Sequence, residues 1–260
     1  MGSLLVSPHE VPTTEELKEY MKKAESPKAS LDRLKGLIYG KPKRGKTRFL
    51  GTWPNVLILS FDPDGAAVLA RDENFQGKVV NVTSWEDVRM WYWILARAKH
   101  KFETVAWDTV TMAQEVALRS VLMEKAEKNS SKDPYHAEQN DYGRSARVLR
   151  TWIGMYANLP MHFLLTAHER EDEAPDEATG DETAVWLMPD LQKSVSGFVQ
   201  GLVGFIGYAY YTVDKETKQK HFKIAFERKH TNAADRYGIL PRVLDPPTYD
   251  EIMKYIKEAV

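Results

Sequence analysis

The sequence predicts a three-layer α/β domain with a mainly parallel central sheet and a late β-hairpin, and three observations predict it. Short apolar runs alternate with amphipathic stretches of helical length from Leu34 onward, which is the pattern of strand–helix–strand units. The run NVLILSFD is almost wholly apolar, as a parallel strand covered on both faces should be. A glycine-bearing segment, Gly40 to Thr47, lies between one such run and a helical one. The 260 residues, 43% of them hydrophobic, suffice for one sizeable packed domain. The expected division is an N-terminal helical arm over 1–30, a core over 31–245 and a C-terminal helix over 246–260.

In chain order, TTEELKEYMKKAE reads as a short helix, with Thr13 or Thr14 as cap, acids in the first turn and Ser26-Pro27 as its stop. LKGLIYG is a strand leading into the glycine segment, and KTRFLGTW opens a helix. NVLILSFD and KVVNVT are the next strands, followed by a helix in SWEDVRMWYWILARAKH capped by Ser84. FETVAWD is a fourth strand, and a helix follows to roughly Glu127. KNSSKDPYHAEQNDYG is polar and turn-rich and reads as a loop; RSARVLRTWIGMYANL returns to helix. PMHFLLTAH is a fifth strand, and the acidic EREDEAPDEATGDET, with almost nothing to bury, reads as a mobile loop. DLQKSVSGFVQGLVGF is a helix, IGYAYYTVDKETKQKHFKIAFERK a hairpin, and PPTYDEIMKYIKEAV a helix with Thr248 as cap.

Composition excludes several function classes. Lys plus Arg (36) nearly balance Asp plus Glu (37), for a formal net charge of -1, so a nucleic-acid partner must be met by local charge. The absence of cysteine removes a disulfide framework and a thiolate zinc site. No apolar run approaches the roughly 18 residues of a membrane span. The start, MGSLLVSPHEVP, has no basic leader, so a soluble intracellular protein is expected.

Gly40-Lys41-Pro42-Lys43-Arg44-Gly45-Lys46-Thr47 satisfies G-x-x-x-x-G-K-[ST] without a mismatch. Glycines allow the dihedrals that turn successive N–H groups toward one point, and the following helix adds the positive end of its dipole. Residues 40–48, through Arg48, are therefore expected to wrap a polyphosphate, with Lys46 on the terminal phosphates and the Thr47 hydroxyl on Mg²⁺. The metal needs a carboxylate at a neighbouring strand end. Asp108, closing FETVAWD, fits that role; a helix cap is the alternative. Asp62 and Asp64 follow the second strand in LSFDPDG. Asp64 is the candidate to direct the attacking water, against a plain Asp-Pro-Asp-Gly turn. Thr166 or His168, at the end of LLTAH, would emerge beside the γ-phosphate, where His168 could sense the bound nucleotide; otherwise it is an ordinary surface histidine.

This order of parts resembles the RecA-like ATPase core, and more narrowly small phage-encoded RecA-like ATPases of the AAA-domain type, a group that includes single-strand annealing recombinases. GKPKRGKTRFLGTWPNVLILSFDPDG, VAWDTVT, NDYGRSARVLRTWIGMYANLPMHFLLTAHERE, PDLQKSVSGFVQGLVGFIGYAYY and ERKHTNAADRYGILP carry the resemblance, which runs from about Leu34 to the C-terminus. It implies an ATP- and Mg²⁺-dependent ATPase, self-associating into a ring or filament on single-stranded DNA in the cytoplasm of a bacterial host, with no membrane partner. It implies Asp64 where the water-directing acid is commonly Glu, hence slow, DNA-stimulated hydrolysis, and His168 as polar sensor. Arg228, Lys229 and Arg236 fall in the region that supplies a basic residue to the neighbouring subunit's nucleotide; solvated strand-end charges are the alternative.

Two loops would then hold DNA, about 129–142 and about 169–189. The first offers Lys132, Tyr135, His136 and Tyr142, followed by Arg144, Arg147 and Arg150 at helical spacing, a basic stripe or simply an exposed face. The second departs from the pattern. Its acids would repel phosphate, with only Arg170, Trp186 and Lys193 to offset them. Two rival functions remain: a nucleotide-gated assembly switch with little turnover, and a small-molecule kinase, which the lack of an arginine-rich lid disfavours.

Overall fold

The computed structural model describes residues 13–22, 24, 31–129, 132–176 and 181–259. The MGSLLVSPHEVP start and the Ser26-Pro27 helix stop lie outside them. The chain divides into two units, Met1–Asp32 and Arg33–Val260. In the first, α1 (Thr14–Met21) is closed by a capping box: the Glu16 N–H donates to Thr13 Oγ1 at 3.3 Å and the Thr13 N–H to Glu16 Oε2 at 2.8 Å. None of its residues is buried.

The second unit starts with β1 (Lys35–Tyr39), α2 (Lys46–Gly51) and β2 (Val56–Ser60). A 3-10 helix (Gly65–Arg71) leads to β3 (Lys78–Asn81), α3 (Trp85–Arg97), β4 (Thr104–Asp108) and α4 (Val110–Lys128). Next come α5 (Gln139–Ala157), β5 (His162–Ala167), β6 (Glu169–Asp176), β7 (Asp181–Pro189) and α6 (Lys193–Leu202). The chain closes with β8 (Phe205–Val213), β9 (Lys220–Ala225), β10 (Ala234–Asp235), β11 (Val243–Leu244) and α7 (Tyr249–Ala259). The main sheet runs β11-β9-β8-β1-β5-β4-β2-β3, with β10 beside β8. From β3 to β8 every pairing is parallel, and β9, β10 and β11 add antiparallel strands at the other end. The mainly parallel sheet and late hairpin expected from the sequence are both present.

Strand periodicity divides the core between the two sheet faces. Leu37, Leu57, Leu59, Val105, Trp107, Phe163 and Leu165 join one buried cluster with residues of α3, α4, α5 and α6. Trp107 is fully buried there, ringed by Phe61, Trp85, Tyr156 and Phe163. The alternate residues Ile38, Ile58, Ala106 and Leu164 are equally buried on the opposite face. On that side Trp53, just past α2, meets His162 edge-on and Tyr249 at a tilt. Short apolar strands covered on both sides explain why four of these runs read correctly from sequence alone.

Two expectations need correction. Over its described residues the acidic stretch is strand and not loop: β6 and β7 form a separate antiparallel pair, with Glu173 opposite Val185 and Asp172 opposite Trp186. Backbone pairing needs no buried side chain on the acidic strand, because the returning run TAVWLMP supplies the β-type residues. Within the same stretch, Glu177 lies outside the described residues. The polar segment before Arg144 is also shorter than expected, because α5 already begins at Gln139. There the Glu138 N–H donates to Asp141 Oδ2 at 2.9 Å, and Lys125 reaches Asp141 at 2.8 Å and Glu138 at 3.1 Å. These contacts join the end of α4 to the start of α5. Among the described residues no helix is long and apolar enough to cross a membrane.

Candidate functional site

Between β1 and α2 the chain makes the turn that its glycines permit. Gly45 has φ +85, and a Cβ there would stand 2.9 Å from the Phe222 ring; a Cβ on Gly40 would stand 2.4 Å from the Ala209 carbonyl oxygen. The turn is fixed at its start. The Gly40 N–H donates to the Ala167 carbonyl at 3.3 Å, and the preceding Tyr39 hydroxyl donates to Leu187 O at 2.9 Å and accepts from Asn232 N–H at 2.7 Å.

Lys46, only 6% exposed, folds back over this loop and donates to Gly40 O at 2.8 Å and Lys41 O at 3.0 Å. Burial drives its ammonium down to about 8, with Asp108 and Glu169 opposing the shift and Arg44 adding to it. Thr47 Oγ1 donates to Asp108 Oδ2 at 2.7 Å, and Thr166 Oγ1, from the end of β5, donates to Asp108 Oδ1. Asp108 is 3% exposed and ends β4. The strand order brings these groups together, since β5 lies between β1 and β4.

Above them lies a cavity of ≈ 440 Å³, lined by the loop from Pro42 through Arg48, by Asp62 and Asp64, and by Asp108, Thr109, His168 and Phe222. The turn reading of Asp62 and Asp64 and the cavity reading hold at once. The Gly65 N–H donates to Asp62 O at 3.1 Å and the Asp64 N–H to Asp62 Oδ1 at 3.3 Å, and that turn sets both acids at the cavity wall. His168 is half-buried, its N–H on Thr111 Oγ1 at 3.0 Å. Burial, then the Lys46 charge, lowers its pKa against the pull of Asp190, Asp108 and Asp62, so the imidazole is neutral at pH 7.

The donor set fits a hard divalent ion. Thr47 Oγ1 and Asp108 Oδ2 are oxygens, and Mg²⁺ is commonly held by one or two protein oxygens with phosphate and water completing its shell. Among the described residues no group of three or more His, Asp or Glu could hold a metal ion. Sequence reasoning missed two contributors. Glu169, counted only as a repulsive acid, has a side chain 5% exposed that faces Lys41 Nζ at 3.6 Å. Phe222, on β9, closes the loop side of the cavity; the strand alternation of the hairpin was the available signal, but not which strand its ring would meet.

None of the other expected residues lines this cavity. Arg228 is exposed, its guanidinium over the rings of Tyr208 at 5.0 Å and Tyr210 at 4.6 Å. Lys229 is also exposed, and Arg236 donates to Gly201 O at 2.6 Å. Tyr135 is 88% and Tyr142 48% exposed. Lys132 pairs with Glu138 at 3.1 Å and Arg144 with Glu124 at 3.6 Å, while Arg147 is exposed on α5. Arg170 donates to Leu191 O at 3.1 Å, and Trp186 is half-buried against the His230 ring.

The sequence matches the family described as AAA domain over residues 32–237. Among solved structures it is similar to a KaiC-like protein from hyperthermophilic archaea, Pyrococcus horikoshii OT3, at 9% identity and a TM-score of 0.39. That likeness covers 78% of this chain and 82% of the other, and at such a score it carries no argument. No curated protein matches.

Proposed function

The chain belongs to the AAA domain family, and on that premise we propose that it is a Mg²⁺-dependent ATPase that oligomerises on single-stranded DNA and promotes recombination by annealing. One observation carries the ATPase half: buried Lys46 folds back onto the Gly40 and Lys41 carbonyls of the loop, and beside it the half-buried Thr47 hydroxyl donates to buried Asp108. In this reading the loop amides and Lys46 bind the β- and γ-phosphates. Thr47 and Asp108 hold the ion, which when bound neutralises charge on the phosphate oxygens. Asp64, exposed at the cavity wall, orients the attacking water, and neutral His168 meets the γ-phosphate as a sensor.

The DNA half draws its support from the family resemblance and from the exposed Tyr135, Tyr142 and Arg147, which offer stacking faces and a cation. Lys132, Arg144, Arg170 and Trp186 complete the candidate contacts. The acidic β6–β7 pair is the weaker of the two candidate tracks, because its carboxylates repel a phosphate backbone. Arg228, resting on two tyrosine rings with its outer side exposed, is the best placed of the three basic residues to reach a neighbouring subunit's nucleotide.

ATP turnover with and without a single-stranded oligonucleotide, alongside a gel shift with an ATP analogue, tests both halves. A single strand is expected to bind and to raise turnover. No complex in either nucleotide state removes the DNA half and leaves the ATPase half standing. A nucleotide-gated switch is the second reading, favoured by the exposure of Asp64 and the shortness of its side chain; binding without turnover would select it.

The Lys46 value gives a pH prediction with a definite sign. A folded value of about 8 lies below that of an unfolded lysine, so between about 8 and ~10.5 the unfolded chain holds more protons and stability rises with pH. Phosphate binding has the opposite dependence, since it needs the ammonium. ATP affinity should be flat below pH 8 and fall by up to roughly tenfold per unit above it, with proton uptake visible as a buffer-dependent heat in calorimetry. Affinity independent of pH from 7 to 10 would contradict this.

A further inference from the structure

We infer that the nucleoside of the bound nucleotide occupies a second cavity beside the phosphate loop, with its base against the ring of Phe222; this rests on the nucleotide reading above. The second cavity encloses ≈ 520 Å³ and shares Gly45, Arg48, Val68 and Phe222 with the first. The two therefore form one trough, and each half has the size of a small-molecule site.

The ends of that trough differ in chemistry, and the difference sets the direction of the ligand. One end brings the buried Lys46 together with Asp62, Asp64, Asp108 and His168, with Thr47 beside Asp108. That end suits the terminal phosphate and its cation. Beyond the shared wall Phe222, Pro247 and Phe49 give an apolar surface, and Arg71, Asp72, Glu73 and Asn74 line the same cavity. An apolar ring surface beside polar groups of both charges, without the Lys46, Thr47 and Asp108 of the other end, suits a base and a ribose better than the terminal phosphate.

Phe222 stands at the junction. Its ring lies so close to Gly45 that a Cβ there would meet it at 2.9 Å, which places the ring directly beside the amides that hold phosphate. The ring is fixed edge-on by Tyr211 at 6.1 Å and 76°, and Arg44 lies over Tyr211 at 3.9 Å. The Arg48 guanidinium, on the first turn of α2, stands 5.6 Å from the Phe222 centroid. A flat ring and a planar cation facing one cavity are the two groups that stack on a purine or pyrimidine without needing to read its edge. Asp72 and Asn74, both exposed on the segment after the 3-10 helix, are in place to meet the base edge or the ribose hydroxyls.

Calorimetry on the full chain tests this with two ligands, ATP·Mg²⁺ and inorganic triphosphate·Mg²⁺. The quantity read is the ratio of their affinities. Wild type should prefer ATP; Phe222→Ala should reduce that preference roughly 5- to 100-fold, the range of one lost stacking contact; Phe222→Trp should retain it. Because the alanine variant could loosen the loop that its ring touches, Asn74→Ala, at an exposed position, serves as a second probe and should lower ATP affinity more than triphosphate affinity. Equal losses for both ligands in Phe222→Ala, or no loss for either, would overturn the inference, while uptake of triphosphate by wild type would keep the phosphate-site reading standing. If wild type takes up neither ligand, the nucleotide reading fails first and this inference with it.

Discussion

Lys46→Ala is expected to cut kcat for ATP hydrolysis by roughly 10²–10³-fold, the loss that follows removal of one preorganised group from a developing anion. Lys46 is buried within the loop, and its Nζ stands between two carbonyls, Gly40 O and Lys41 O, at hydrogen-bond distance. A phosphate entering beneath the loop amides would meet an ammonium already held in place, with no side chain to reorganise. Alanine removes the charge and leaves those carbonyls to water in an open cavity, so the fold should persist. Circular dichroism checks the fold and a phosphate-release assay the rate. A folded variant with turnover within tenfold of wild type would remove Lys46 from the chemistry.

Asp108→Asn should lower turnover on the order of 10²-fold, again as the loss of one charge-stabilising group, and should raise the Mg²⁺ concentration needed for half-maximal rate. The carboxylate is held by two hydroxyls, Thr47 on the loop side and Thr166 on the β5 side. Asparagine keeps the shape and one acceptor oxygen but loses the charge that competes for the cation. Asp108→Ala is predicted to behave differently. It strands the two threonine hydroxyls, and about 1–3 kcal/mol of stability should be lost with the activity. A magnesium titration separates the roles: an unshifted requirement in the asparagine variant would make Asp108 a helix-capping or packing residue only.

The fold was legible where one physical rule dominated. VLILS and TVAWD form parallel strands covered on both faces, so an unbroken apolar run was sufficient signal. Ser84 gave the start of α3 because capping is a local contact, and in the structure Asp87 completes a capping box with it. The β6–β7 pair was missed for the opposite reason. Composition reports what a segment can bury, and an acidic strand held by backbone pairing to an apolar partner buries little of its own.

At the site the loop was visible because G-x-x-x-x-G-K-[ST] is a fixed local spacing, and Asp108 because it closes an apolar strand run. Glu169 and Phe222 were not, because their positions depend on which strands lie beside β1. β8, which pairs with β1, carries β9 and Phe222 alongside the loop, and β5 delivers Glu169 beside Lys41. Sheet order of that kind is long-range information, and no window of sequence contains it. Asp64 was ambiguous between turn and site, and the structure shows why: the turn is the device that sets the acid at the cavity wall.

Everything proposed for catalysis depends on residues 40–47 taking up a triphosphate together with a cation held at Thr47 and Asp108. Isothermal titration of the purified, folded chain with ATP and Mg²⁺ measures that directly. Saturable uptake of one nucleotide per chain, weakened by Lys46→Ala and weakened again when Mg²⁺ is chelated, is the predicted result. No heat of binding, or binding indifferent to both Lys46 and Mg²⁺, would contradict it.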